Sequence, residues 1–558
     1  MEKKWWHDKV AYQIYPKSFC DSNGDGIGDL PGILSKLDYL QALGVEILWL
    51  SPVYQSPFVD QGYDISDYYA IAEPFGTMEQ FDALLAEAKR RGMYIVMDLV
   101  ANHCSDQHPW FQKALADPQG EYGQLFYFRK GKNGGPPCNY RSYFGGSAWE
   151  PVPGRPEWYY LHFFAKEQPD LNWENPALRQ KIYEMVNWWM DKGVAGFRID
   201  AISNIKKDLT FADLPADGPD GLAGVEKAVR RAEGIGALLT ELKQETFAKH
   251  DAFTVGEVFE TQAGTLADFI GPEGYFSSMF DFSGSAVCAG AHGWYDAPAF
   301  DFTRWRDAVL EQQAQSEGVG FLANILENHD EPRSASWYLP PFAQTPAGVK
   351  MLATISVLLR GLPFLYQGQE LGMTNYPWPS MEQSQDVSAR GEYRRALDAG
   401  VPEAQARAIC LARSRDNTRT PMQWSAAPGA GFTTGTPWLP INPNYPAVNA
   451  AAQAADPDSV LNYYKKLIAL RKSAPWRELF VYGRTQPATQ QPAGVFAYLR
   501  TDGARRVLVA ASCRPDTVSL PLPGRAGRTL LGSQRPEAQI ENIALTLKSC
   551  EAVVLELI

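Results

Sequence analysis

Short, nearly continuous apolar runs recur along the chain, and stretches with helical spacing lie between them. The runs are VAYQIYP (10–16), VEILWLSP (45–52), YIVMDLVANH (94–103), AGFRID (195–200), FTVGEV (253–258), YFSSMFDF (275–282), FLANILENHD (321–330) and PFLYQGQE (363–370). Runs with no polar alternation suit strands covered on both faces, as in a parallel sheet wrapped by helices. The intervening segments carry helix signals. In TMEQFDALLAEAKRRG, Thr77 is placed to cap the start with Gln80 as its reciprocal partner. Phe81, Leu84, Leu85 and Ala88 make one apolar face, and Gly92 follows the end. In NPALRQKIYEMVNWWMDKG, Asn175 caps, Pro176 takes the first helical position, Leu178, Ile182, Met185 and Trp189 recur at helical spacing, and Gly193 stops the helix. Eight strands alternating with helices predict an α/β fold, a (β/α)₈ TIM barrel.

Three segments depart from the alternation. Residues 104–171 are rich in Pro, Gly and aromatics and fall between strands three and four, so they predict a small inserted domain. Residues 374–425, after strand eight, are irregular and are placed to overhang the barrel mouth. From 476 to 558 the chain reads VFAYLR, RVLVAASC, TVSLPL, IALTL and AVVLEL between turn residues, the texture of an antiparallel β-sandwich domain. The barrel then comprises residues 1–103 and 172–475.

Composition narrows the function. A net charge of −12 without any Lys/Arg run disfavours nucleic acid and anionic membrane as partners. The seven cysteines are scattered, their number is odd and no C-x-x-C occurs, which favours reduced thiols over a disulfide framework. The start, MEKKWWHDKVAYQIYP, has no apolar leader, and no window is long enough to span a bilayer. A cytoplasmic protein, monomeric or weakly self-associating, is the expectation.

In such barrels chemistry sits at the C-terminal ends of the strands. Here strand three ends in Asn102 and His103, strand four in Arg198 and Asp200, strand five in Glu257, and strand seven in Asn328, His329 and Asp330. Polar residues belong at strand ends in any case, but four ends aim three carboxylates, two histidines and an arginine at one mouth. Arg198 and Asp200 are two apart and so point the same way, and the arginine favours an ionised aspartate. Glu257 comes from the neighbouring strand. Two carboxylates with divergent pKa values are the tools of glycoside cleavage. A second polar stretch, CDSNGDGIGDL, follows strand one. Asp21, Asn23, Asp25 and Gly26 fit an EF-hand loop, but its twelfth position is Gly32 rather than glutamate. An incomplete calcium switch, another cation site and a polar turn all remain open on spacing.

DLVANH (98–103), GFRIDAI (196–202), GEVF (256–259) and ENHD (327–330) resemble the four signature regions of glycoside hydrolase family 13, the α-amylase family, and QPDLNWE (168–174) resembles its fifth. YQIYPKSF, DSNGDGIGDL, GYDISDY, FGGSAW and SRDNTRTPMQW are similar to its oligo-1,6-glucosidase and α-glucosidase members. The resemblance implies Asp200 as nucleophile, Glu257 as acid/base and Asp330 as a third, transition-state-stabilising carboxylate in a retaining mechanism. It implies Asp64, His103, Arg198, His329 and Arg415 around the terminal glucose, with aromatic contact from Tyr63 and Phe144, and Phe164 and Gln168 in the same pocket. It makes the loop after strand one a structural calcium site, with side-chain oxygens from Asp21, Asn23, Asp25 and Asp29 and the Ile27 carbonyl, Mg²⁺ being the alternative.

The chain departs from the family at two positions. Cys104 stands where many relatives have Thr, and Ala201, just after the implied nucleophile, stands where relatives selective for α-1,6 bonds usually have Val. The resemblance points to an exo-acting α-glucosidase on short oligosaccharides of the isomaltose, maltose or sucrose type. Rival readings on the same scaffold are a transglucosidase or sucrose isomerase and a trehalose-6-phosphate hydrolase; the sequence shows no dedicated basic cluster for a phosphate, although Lys206 and Lys207 can be argued for it. A non-catalytic, transporter-associated barrel and a His-Asp metallohydrolase using His103, His329 and Asp330 are the readings from other classes.

Overall fold

In the computed structural model, which describes residues 2–259 and 265–558, the eight apolar runs form one closed parallel barrel. Its strands are β1 (Ala11–Ile14), β2 (Ile47–Leu50), β3 (Tyr94–Leu99), β4 (Gly196–Ile199), β5 (Phe253–Gly256), β6 (Ser278–Asp281), β7 (Phe321–Ile325) and β8 (Leu362–Tyr366). Each pairs with its successor, and β8 closes on β1. Several runs outlast their strands: β3, β7 and β8 stop at Leu99, Ile325 and Tyr366. The polar residues beyond those points therefore leave the ladder and form the mouth.

Large side chains fill the barrel, which is why it is a core and not a pore. Trp49, Phe253, Phe280, Phe321 and Phe364 pack together with Trp6 below them. Gly196 shows how close β4 and β5 run: a Cβ there would meet the Phe253 carbonyl oxygen at 1.7 Å. The outer helices form as their signals predict. Met78–Arg90 starts on a reciprocal Thr77–Gln80 capping box and buries Phe81, Leu84 and Ala88. In Pro176–Lys192, Asn175 accepts from the Ala177 N–H, and Gly193 ends the helix at φ 111°.

Between β3 and Pro176–Lys192 lie the helix Pro109–Ala116 and a three-stranded antiparallel sheet, Phe128–Lys130, Arg155–Leu161 and Trp149–Val152. The small core of this insertion (Tyr127, Tyr140, Trp149, Leu161) is shared with Phe211, Leu214 and Val225 from the loop after β4. Arg141 ties the two together through Asp217 and Asp220, at 2.5 and 2.7 Å. After β8, the helices Val387–Asp398, Glu403–Arg413 and Asp416–Arg419 bring charged residues back over the barrel mouth. From Arg484 onward a five-stranded and a three-stranded antiparallel sheet pack face to face through Leu508, Leu520, Leu545 and Leu555. Among the described residues no helix is long and apolar enough to cross a membrane.

Candidate active site

The β4–β5 register sets the centre of the site. Ile199 lies opposite Gly256, and the Glu257 N–H donates to the Ile199 carbonyl at 2.9 Å, so Glu257 emerges beside Asp200. Arg198, fully buried one side-chain period before Asp200, stands between three carboxylates. Its Nη1 donates to Asp98 Oδ1 at 2.7 Å and to Asp200 Oδ1 at 2.5 Å, and its Nη2 donates to Glu257 Oε1 at 2.6 Å. The other oxygen of Glu257 accepts the Ala201 N–H at 2.8 Å. That bond needs the turn after β4, where Ala201 adopts a left-handed conformation with φ 41°.

Asp330 closes the opposite side. Its Oδ1 accepts from Arg419 Nη2 at 2.7 Å and from Arg415 Nη1 at 3.4 Å. His329 Nε2 lies 3.1 Å from Asp330 Oδ2 but has no hydrogen-bond partner of proper geometry, which leaves it free for a ligand hydroxyl. The Tyr63 ring stacks on His329 at 5.1 Å and 8°. The far wall is Asp60: Arg415 Nη2 reaches its Oδ1 at 3.2 Å and Gln168 Nε2 its Oδ2 at 3.3 Å. Gln168 Nε2 also lies 3.1 Å from His103 Nε2. Phe144 lies 5.2 Å under the Arg415 guanidinium, and Phe164 packs on His103 at 4.9 Å.

Burial governs the protonation of this cluster. It pushes the Asp200 and Glu257 carboxyls up, each to about 7, against the pull of Arg198. They share one guanidinium and titrate as a unit, so near neutral pH the pair holds about one proton. Burial acts on Asp330 too, but with His329 neutral it is the Arg419 and Arg415 guanidiniums that oppose it and hold the carboxyl below the usual range. Burial also keeps His103 and His329 neutral, with His103 lowered to about 3. The site thus offers one ionised acid, one divided proton and neutral imidazoles.

The chain matches the family described as "Alpha amylase, catalytic domain" over residues 13–480. It is 43% identical over 518 residues to a probable oligo-1,6-glucosidase 3 of Bacillus subtilis, covering 92% of this chain and 91% of that one. It is 39% identical to a trehalose-6-phosphate hydrolase of the same organism, across 99% of this chain and 98% of the other. The crystal structure of an isomaltulose synthase from Klebsiella sp. LX3 superposes with a TM-score of 0.93 at 37% identity, covering all of both chains. The chain belongs to the α-amylase family.

Among the residues this family implies for the sugar pocket, Asp64 is displaced. It lies behind the wall, where its carboxylate accepts the backbone N–H groups of Val59 and Asp60 at 2.8 and 3.0 Å and holds that turn. Asp60, four residues earlier, faces Arg415 in its stead. The motif GYDISDY begins just after Asp60, so nothing in it marked that residue. Tyr63, His103, Phe144, Phe164, Gln168, Arg198, His329 and Arg415 all meet around the carboxylates. Asp98, Asp386 and Arg419 join them, none having been assigned a role from the sequence, although Asp98 opens the DLVANH motif. Asp386 holds Arg415 at Nε (2.7 Å), and Trp49 Nε1 donates to Asp98 at 2.8 Å. Arg419 had a signal, one helical turn beyond Arg415 in SRDNTRTPMQW.

Lys206 and Lys207 do not form a cationic cluster for phosphate in this α-amylase-family chain. Lys206 pairs with Glu174 at 2.5 Å, and Lys207 is buried against Asp170 at 2.7 Å and Asn102. Cys104 is fully buried, and burial pushes its thiol well above the usual range, so it packs and does not react.

The Asp21–Asp29 loop is tied closed by its own hydrogen bonds. Asp21 accepts the N–H groups of Asn23, Gly24 and Gly26 at 2.9, 2.7 and 2.8 Å and the Thr433 hydroxyl. Asn23 and Asp25 accept the N–H groups of Asp25 and Ile27 at 2.8 Å each. Asp29 caps the helix Leu30–Ser35 through Gly32 and uses its second oxygen on Ser22. Among the described residues no three His, Cys, Asp or Glu side chains stand close enough together to hold a metal ion. In this arrangement the carboxylates serve the loop's own amides.

Proposed function

We propose that the protein is a retaining, exo-acting α-glucosidase that releases terminal glucose from short α-linked oligosaccharides. One observation carries this reading: a single guanidinium, Arg198, holds both Asp200 and Glu257, with Asp330 opposite. Two carboxylates held by the two terminal nitrogens of one guanidinium, at 2.5 and 2.6 Å, sit side by side, an arrangement that favours the close, ~5–5.5 Å pair of a retaining enzyme over a pair spread for an intervening water. Glu257 gives its proton to the glycosidic oxygen while Asp200, held through Oδ1, attacks the anomeric carbon with Oδ2. The leaving sugar departs, and Glu257, now ionised, takes a proton from the water that cleaves the glucosyl ester. Asp330 and His329 accept and donate hydrogen bonds to sugar hydroxyls as the ring flattens. The wall of Asp60, Arg415, Gln168 and His103 closes the pocket behind one sugar unit, which supports exo action. A product time course on isomaltose, maltose, sucrose and trehalose tests the proposal. Glucose as the first product supports hydrolysis, and rearranged disaccharides from sucrose support the transglucosidase reading, which the isomaltulose synthase likeness favours as a second choice. A cytoplasmic location is part of the proposal, supported by seven buried, unpaired cysteines.

Linkage preference turns on Ala201. Its N–H holds Glu257, so its Cβ lies beside the acid/base group, toward the leaving sugar. An α-1,6 link has an extra rotatable carbon that lets the second ring swing clear, whereas an α-1,4 link holds it close. With Ala the pocket admits both. Ala201→Val lowers kcat/KM for maltose more than for isomaltose, by about 1–3 kcal/mol in the difference. The left-handed backbone adds strain for a β-branched residue, which lowers both values together, so the ratio is the measurement. An unchanged ratio places linkage control elsewhere.

Calcium in the Asp21–Asp29 loop is a separate proposal. Alternating oxygen-bearing side chains support it, although those oxygens now face the loop's amides. An ion bound only by the native state, at 100-fold above its dissociation constant, adds about 2.7 kcal/mol. Calcium therefore raises the melting temperature relative to chelator, and Asp21→Ala abolishes that response. A melting temperature indifferent to both returns the loop to a hydrogen-bonded turn.

A further inference from the structure

The turn that carries Asp60 is strained. Phe58 and Gln61, neither a glycine, sit at φ 64° and 53°, and Gly62 follows at 110°. Left-handed residues persist only where surrounding contacts over-determine them. On one side Asp64 holds the N–H groups of Val59 and Asp60. On the other side stands Lys17, in the short turn Pro16–Ser18 directly after β1. Its ammonium donates to Gln61 Oε1 at 2.7 Å. It also lies 4.1 Å from the centre of the Trp438 ring and 5.4 Å from that of Phe58. Among the described residues no carboxylate forms an ion pair with it. A cation between two ring faces with one amide acceptor is held by direction and by cation–π attraction, so it fixes the turn from both ends, Phe58 and Gln61.

Lys17 is itself anchored. Its carbonyl accepts the Gly28 N–H at 2.8 Å, and Trp438 is fixed by its N–H to the Gly26 carbonyl at 3.1 Å and its Nε1 to Ser18 Oγ at 2.9 Å. The ammonium is thus a rigid peg between the loop after β1 and the Asp60 turn. We propose that Lys17 is a positioning residue for the terminal sugar: it pins the strained Phe58–Gly62 turn and so sets the Asp60 carboxylate against Arg415 before the glucosyl unit arrives. This rests on the assignment of Asp60 and Arg415 to that unit. It assigns Lys17 no contact with the reacting atoms.

The test is a double-mutant cycle of Lys17→Met with Asp60→Asn, read by glucose binding in calorimetry and by KM and kcat on p-nitrophenyl α-glucoside. Methionine keeps the apolar stem and removes the charge and the donor. Lys17→Met weakens glucose binding and raises KM about tenfold, the scale of one charged hydrogen bond, while kcat moves less. Gln61→Met, which removes the acceptor in place of the donor, reproduces the effect and guards against a folding defect in the first variant. In the Asp60→Asn background, Lys17→Met adds little, because its route of action is already gone. Unchanged glucose affinity in both single variants overturns the proposal, and so does an equal loss with Asp60 intact or replaced. If Asp60→Asn alone leaves glucose affinity unchanged, the assignment of Asp60 fails, and the role of Lys17 fails with it.

Discussion

Asp200→Asn lowers turnover of every α-glucoside by about 10⁴-fold or more, the scale on which removal of a nucleophile is felt. The amide cannot attack the anomeric carbon, and no neighbour replaces it, since Asp98 is fully buried behind Arg198 and Asp330 lies across the site. The variant keeps its fold. Burial raises the Asp200 carboxyl in the folded chain, so its ionised form opposes folding increasingly as pH climbs from about 4 toward 7. The neutral isostere lacks that charge, and Arg198 keeps Asp98 and Glu257 as partners. The melting temperature at pH 7.5 therefore does not fall below that of the parent protein. Near-normal turnover in this variant would move the nucleophile elsewhere.

Glu257→Gln separates substrates by leaving group. The glucose that leaves isomaltose or maltose would depart as a poor alkoxide and needs the proton, so kcat/KM on these substrates falls by about 10²–10⁴-fold, the range of general acid–base catalysis. p-Nitrophenol needs little protonation, and its release survives far better. The pH profile changes too. Burial raises the Glu257 carboxyl to about 7, so the parent enzyme loses its acid, and its activity on disaccharides, as pH rises through that value. In Glu257→Gln that alkaline limb disappears for the activated substrate. A loss equal across leaving groups, with the limb intact, would assign the acid to another residue.

The barrel was legible because its signals are local. Runs apolar on both faces and well-capped helices need no partner to be recognised, and Thr77–Gln80 and Asn175–Gly193 behave in three dimensions as they read in one. The strand ends were legible for the same reason: residues two apart, such as Arg198 and Asp200, share a face whatever surrounds them. What was not legible depends on how loops fold back. Asp60 and Asp64 are both acidic, lie in one turn and differ only in which points inward, and two left-handed residues that no spacing reveals decide it. Asp386 reaches the site from a segment more than fifty residues beyond Asp330, where helical packing places it. The insertion likewise shares its core with Phe211 and Leu214 from a loop about forty residues past its end, a long-range contact that no local spacing announces.

The central claim, a covalent glucosyl–Asp200 intermediate in a retaining hydrolase, is tested most directly by the anomer first released. Proton NMR of p-nitrophenyl α-glucoside hydrolysis, in which all the glucose released comes from the cleaved anomeric centre, recorded before mutarotation equilibrates the product, distinguishes the two. Two displacements at the anomeric carbon return the original configuration, so the account predicts α-glucose first, with β-glucose growing in only at the uncatalysed rate. Initial release of β-glucose would show a single displacement by water and contradict it.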